Sequence, residues 1–134
     1  MANLIVANNS NYTNYLNALV QGDTLYLRQG VYDNNLKLNG LNGTPLEPIV
    51  IIGEANKTIF IGQSCCNTVS ITKCSYLVIK NIQLDGQNLS IDAVKAEGTI
   101  GNWAHHITIE YLSIINYGNS QQNVGISTKC SAWN

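Results

Sequence analysis

Two groups of side chains in this sequence have the residue types that acid–base or ligand chemistry needs. The first is Asp85, Asp92, Lys95 and Glu97. Lys95 and Glu97 are two places apart, so on a strand they share a face and set an amine beside a carboxylate. Such a pair can serve as a base with its orienting partner, and the four together offer oxygens to a hard cation such as calcium. The structural alternative is an outward-facing ion pair, the commoner role of Lys and Glu at this spacing. The second group is Trp103, His105 and His106, followed by Glu110. Imidazole exchanges protons near neutral pH, and an indole beside it is a face on which a sugar ring stacks. Its alternative is an ordinary corner whose tryptophan covers the side of the molecule. Tyr111, Tyr117 and Trp133 add aromatic surface that a carbohydrate would use.

The remaining candidates carry less chemistry. Arg28 is the one arginine of the chain, and its expected task is to pair with a carboxylate near the N-terminal cap. Cys65, Cys66, Cys74 and Cys130 form neither a Cys-x-x-Cys pair nor a zinc spacing with the two histidines, so no metal site is assigned to them. They are expected to be buried small hydrophobes or partly exposed thiols. Asn81, Asn116 and Asn123 are expected to make turns, their amides bonding from one turn to the next.

What must position these residues is a repeat. Tyr76 to Leu84 (YLVIKNIQL) returns as His106 to Ile114 (HITIEYLSI), with Leu77, Ile79, Ile82 and Leu84 answered by Ile107, Ile109, Leu112 and Ile114 at a constant offset of 30 (107 − 77). In each copy apolar residues alternate, skip one place, and alternate again, which reads as two short strands meeting at a corner. A period of about 30 residues built of strands belongs to a solenoid whose turns stack. The turns expected are Ile49 to Ile52, Thr58 to Gly62 and Thr68 to Thr72; then Leu77 to Ile79, Ile82 to Asp85 and Ala93 to Glu97; then Ile107 to Ile109, Leu112 to Ile115 and Val124 to Thr128. Entry strands before Ile49 bring the total to between three and four turns.

Composition agrees with strands and sharp turns. The chain has 134 residues, only 11% of them charged, and a net charge of −1 without a basic run, so nucleic acid and anionic membrane are not expected partners. No apolar run approaches the roughly 18 residues that span a bilayer, and the opening MANLIV lacks the basic start and long apolar centre of a signal peptide. The one helix expected uses Tyr12, Tyr15, Leu16, Leu19 and Val20 at three- and four-residue spacing, stopped by Gly22. A solenoid exposes its first turn unless something covers it, so residues 1–22 are read as an N-terminal cap and 23–134 as coils of a single domain.

The stretch after the helix has a more specific character. Gly22-Asp-Thr opens a strand closed by Gly30-Val-Tyr, and about twenty residues later Gly43-Thr-Pro leads into Pro48-Ile-Val-Ile. This resembles the N-terminal entry of right-handed single-stranded parallel β-helix proteins of the pectin lyase-like superfamily, in particular the alginate and chondroitin lyase type. The resemblance implies an all-β fold, a polysaccharide substrate and a secreted or extracellular location. It also implies a groove where carboxylates bind calcium and a Lys or Arg removes a proton beside a uronic acid's carboxylate. None of the four residues of the first polar group matches a lyase motif position by position, so no role is carried over to them.

Two expectations concern the end of the chain. STKCSAWN reads as a corner leading into another turn, so further coils and a C-terminal cap are expected to be missing. The last turn would then show apolar residues and unpaired backbone to water, which implies self-association through that end. Three functions follow: the N-terminal part of a polysaccharide-acting enzyme without activity by itself, a non-catalytic glycan- or protein-binding solenoid, or a self-assembling structural module.

Overall fold

The structure is a computed structural model that describes residues 2–118 and 125–129. Among the described residues it is a parallel β-helix of about four turns, built from eleven strands and one short helix. The first turn uses β2 (Thr24–Leu27), β3 (Gly30–Tyr32) and β4 (Leu36–Asn39); the second uses β5 (Ile49–Ile52), β6 (Thr58–Ile61) and β7 (Val69–Thr72). In the third, β8 (Ser75–Asp85) runs through the first corner and β9 (Val94–Glu97) completes the turn; β10 (His105–Ile115) and β11 (Ile126–Lys129) repeat that plan in the fourth. β1 (Leu4–Ala7) lies under β2 as a lone entry strand. The stretch from Thr24 to Asn39, expected only as entry strands, is therefore a complete turn. Val124, Asn123, Cys130 and Trp133 lie outside the described residues.

Register is the feature that organises the fold. Leu77 pairs with Ile49 below and Ile107 above, and Ile79, Ile82 and Leu84 pair with Ile109, Leu112 and Ile114 as the 30-residue offset requires. Because alternate residues of a strand face the same way, register alone piles like side chains into columns. Ile5, Leu25, Ile51, Ile79 and Ile109 make one column, and Leu36, Val69, Val94 and Ile126 another. The skipped place in the repeat also has a physical cause. Asn81 and Tyr111 hold left-handed backbone, with φ of 58° and 52°, and this turns the chain through the corner without interrupting the ladder. Two strands joined at a corner were expected, and a single strand bent at one residue is found in both turns.

The cap differs from its expectation. The helix is α1 (Thr13–Leu16), a single turn, and the rest of 8–18 is held by turn bonds, of four-residue span from Tyr12 N–H to Asn8 O and of three-residue span from Asn14 N–H to Asn11 O and Ala18 N–H to Tyr15 O. Asparagines around the segment favour turns over helix propagation. The short element still covers the first turn, since Tyr12, Leu16 and Leu19 are buried in the core. Tyr12 meets Tyr32 and Phe60 edge-on at 5.2 and 5.7 Å, Tyr32 stacks on Phe60 at 4.6 Å, and the Tyr12 hydroxyl donates to Asn35 O. Asp23 of the Gly-Asp-Thr stretch ties the cap down. Its carboxylate accepts bonds from the Asn3 amide and side chain and from the Val20 N–H.

Candidate functional site

The residues singled out for chemistry are spread over several parts of the surface. Lys95 and Glu97 do share the outward face of β9, with Nζ and a carboxylate oxygen 3.9 Å apart and each side chain about a third exposed. Asp92 is held at the start of that strand by the Ser127 hydroxyl at 2.8 Å. Asp85 closes β8, where its carboxylate accepts the Gln87 N–H at 3.0 Å and the Asn116 side-chain amide at 3.2 Å. Neither aspartate is presented as a free oxygen ligand, and among the described residues no three His, Cys, Asp or Glu side chains are placed to hold a metal ion.

The aromatic candidates divide as well. Tyr111 is 82% exposed at the bend of β10. Tyr117 is half-buried: its hydroxyl is 2.6 Å from Thr68 Oγ1, and its ring lies against Gly86 so closely that a Cβ there would be 2.6 Å from it. Burial raises the Tyr117 phenol's pKa, the Thr68 bond lowers it, and the nearby Asp85 charge raises it. That ring serves packing between turns. Trp103 is half-buried in the corner after β9, where Thr99 and Asn102 bond to each other and Ile100 projects outward. Arg28 is exposed at the β2–β3 corner and makes no ion pair among the described residues, contrary to the carboxylate partner expected for it. An exposed pair there would contribute little.

The histidines lead to the one place where several candidate features converge. His105 and His106 are both exposed, with their Nδ1 atoms 2.8 Å apart. That contact needs one nitrogen to carry the proton and the other to accept it. His106 stacks on Tyr76, ring centres 4.5 Å apart and 16° from parallel. The two occupy equivalent places in successive turns and both have left-handed backbone, φ 52° and 50°. Together with Pro45, Pro48, Val78 and Thr108 they line a groove of about 450 Å³. Its far wall is the Thr44–Pro48 corner, which approaches through Gly43; a Cβ at that glycine would lie 2.5 Å from the Tyr76 carbonyl oxygen.

Sequence reasoning named His106 but passed over Tyr76 and the two prolines. The signal for Tyr76 was present, since it precedes His106 by the same 30 residues (106 − 76) as the apolar columns. The cysteines hold the other surprise. Cys74 is buried, and burial pushes its thiol up from the usual range, as expected of a small core hydrophobe. Cys65 and Cys66, expected as thiols, are joined to each other in a disulfide. Adjacent cysteines belong to neither spacing considered for them.

The stacked turns recur in solved structures. A variant of the alginate lyase AlyGC of polysaccharide lyase family 6 superposes on 98% of this chain with a TM-score of 0.76 at 16% identity. The chain has the fold of these lyases. Unmodified AlyGC matches 84% of the chain with a TM-score of 0.67 at 17% identity. A mannuronic acid-specific family 6 lyase from human gut microbiota matches 81% of the chain with a TM-score of 0.64 at 19% identity. The chain spans only 15%, 18% and 25% of the lengths of the AlyGC, variant AlyGC and gut lyase chains. No protein-family model and no curated protein matches the sequence.

Proposed function

We propose that this chain forms the N-terminal coils of a carbohydrate-active parallel β-helix protein of the polysaccharide lyase kind, and that by itself it holds glycan without cleaving it. The observation that carries the reading is the superposition of nearly the whole chain on family 6 lyases while spanning a quarter of their length or less. The groove at Tyr76 supplies the contact surface: a stacked Tyr–His pair and two prolines offer flat apolar faces, and Thr44 and Thr108 offer hydroxyls. Sugars are bound by that combination, apolar face to ring and polar rim to hydroxyl. We place catalysis elsewhere in such a protein, since Asp85, Asp92, Lys95 and Glu97 match no lyase motif position by position.

Affinity electrophoresis through alginate and through a neutral glucan, together with ultraviolet absorbance of the chain mixed with alginate, tests this. Retardation by a polymer that weakens about tenfold in Tyr76→Ala, a loss of about 1.4 kcal/mol, with flat absorbance, is expected. Rising absorbance from a new double bond would make the chain a lyase in its own right. Absence of retardation by either polymer would remove the carbohydrate reading.

A second reading rests on the fourth turn. Ile107, Ile109, Leu112 and Ile114 are only partly buried where their counterparts one turn below are at most 2% exposed, and Ile126 is 50% exposed. Among the described residues no strand pairs with the upper edge of β10 or β11. A second copy laid on that edge would bury the columns and pair the backbone, as exposed strand edges do. Sedimentation showing a dimer that Ile109→Lys converts to monomer supports it; monomer at every concentration rejects it.

A further inference from the structure

We propose that the Cys65–Cys66 disulfide is a thiol–disulfide exchange site, opened by a small or protein dithiol and closed by the disulfide form of the same reagent, that sets the shape of the corner between β6 and β7. The bond joins residues adjacent in sequence. A disulfide stabilises a fold chiefly by closing a loop in the unfolded chain, and the gain grows with the loop. A bond with a sequence separation of 1 closes no such loop. It ties only the two side chains across their own peptide unit, so fold stability does not account for it.

Its placement suits exchange. Cys65 is exposed and Cys66 partly so, whereas Cys74 is buried in the core. Exchange requires an incoming thiolate to reach a sulfur along the S–S axis, which an exposed corner allows and a core does not. The corner is fastened through Gln63, on the N-terminal side of the bond. Cys66 N–H donates to Gln63 O, and the Gln63 side-chain amide donates to Asp33 O at 2.7 Å. The sulfurs adjoin a groove of about 310 Å³ whose opposite wall is Ser90, Ile91 and Asp92 of the next turn. A change at the sulfurs is therefore felt by two turns at once.

The step balances as an ordinary two-electron exchange. A thiolate of the dithiol attacks one sulfur and forms a mixed disulfide, the other sulfur leaves as thiolate and takes a proton, and the second thiol of the reagent, as thiolate, then attacks the reagent's own sulfur in the mixed disulfide and releases the remaining cysteine as a thiolate that takes a proton. The dithiol ends as a disulfide, and Cys65 and Cys66 as two thiols. With the bond open the peptide between them regains its freedom, and the groove beside Ile91 changes shape.

Alkylation with peptide mapping, done on the folded chain before and after dithiothreitol, tests the assignment. The peptide carrying both cysteines should be unlabelled in air and doubly labelled after reduction without denaturant, while Cys74 stays unlabelled throughout. Hydrogen exchange should quicken at residues 63–67 and 90–92 and stay unchanged in β5 and β8. The double variant Cys65→Ser, Cys66→Ser should melt within about 3 °C of the parent, since a surface change of a few tenths of a kcal/mol shifts a domain of this size by that much or less. Labelling in air, resistance to dithiothreitol until denaturant is added, or a melting point lower by many degrees in the double variant would each overturn it. None of these readouts depends on glycan.

Discussion

Leu77 lies directly beneath Ile107, paired with it in the parallel ladder, yet the lower residue is fully buried and the upper only partly. The same chemistry at the same place in the repeat thus has two burial states. Leu77→Ala should cost 2–5 kcal/mol, the range for a large-to-small change in a packed core, and Ile107→Ala should cost about half as much or less, because part of its surface is already in contact with water. Urea denaturation of the two variants measures both. Equal losses would mean that something covers the fourth turn in solution.

Tyr111 occupies a left-handed position that the preceding turn fills with Asn81. Asparagine tolerates this backbone better than an aromatic residue does, and the Tyr111 ring, 82% exposed, has little packing to lose. Tyr111→Asn should stabilise the chain by roughly 0.5–1 kcal/mol, seen as a rise in the melting midpoint. A fall would show that the ring has a partner.

Alkaline pH should unfold the capped end first. Burial pushes the Tyr12 phenol up to about 12, with Asp33 adding to the effect, and likewise raises Tyr32 to about 12, helped by Tyr12 and Glu54. A phenol that titrates higher in the folded chain leaves the unfolded chain to release its proton first. Stability is therefore intact below about pH 10, the ordinary phenol value, and is lost as pH rises through 12. Melting midpoints between pH 9 and 12 should fall along that window, and Tyr12→Phe should fall less steeply. The same variant should be about 1 kcal/mol weaker at neutral pH, for want of the hydrogen bond to Asn35.

The Lys95–Glu97 pair should behave as a surface contact. A double-mutant cycle with Lys95→Ala and Glu97→Ala is expected to give a coupling of about 0.2–1 kcal/mol that shrinks with added salt. A coupling several times larger, insensitive to salt, would restore these two residues as a working site.

How much of this was readable beforehand depended on whether periodicity carried the information. The columns through Leu77 and Ile107 were legible because register in a stacked coil is an arithmetic offset, and alternation fixes which residues face inward. The first turn was harder to see: Thr24 to Asn39 is only 16 residues (39 − 24 + 1), so its corners are too tight to show the longer spacing of later turns. The cap's burial followed from its apolar residues, while its shortness followed from asparagines competing for backbone bonds, an effect that spacing does not report. The groove was legible in part. His106 stood out by type, whereas Pro45 and Pro48 reach it from the neighbouring turn, across a distance in sequence that no local pattern spans. The separation of Asp85, Asp92 and Lys95 came from hydrogen-bond partners such as Ser127 and Asn116, each more than thirty positions from its own aspartate.

The aromatic pedestal of Tyr12, Tyr32 and Phe60 also bears on how the protein is made. It is complete once the first sixty or so residues have left the ribosome, and each later rung finds its template already laid beneath it. Synthesis in the N-to-C direction and winding in the same direction then become one process, each strand after the first turn pairing with one already made.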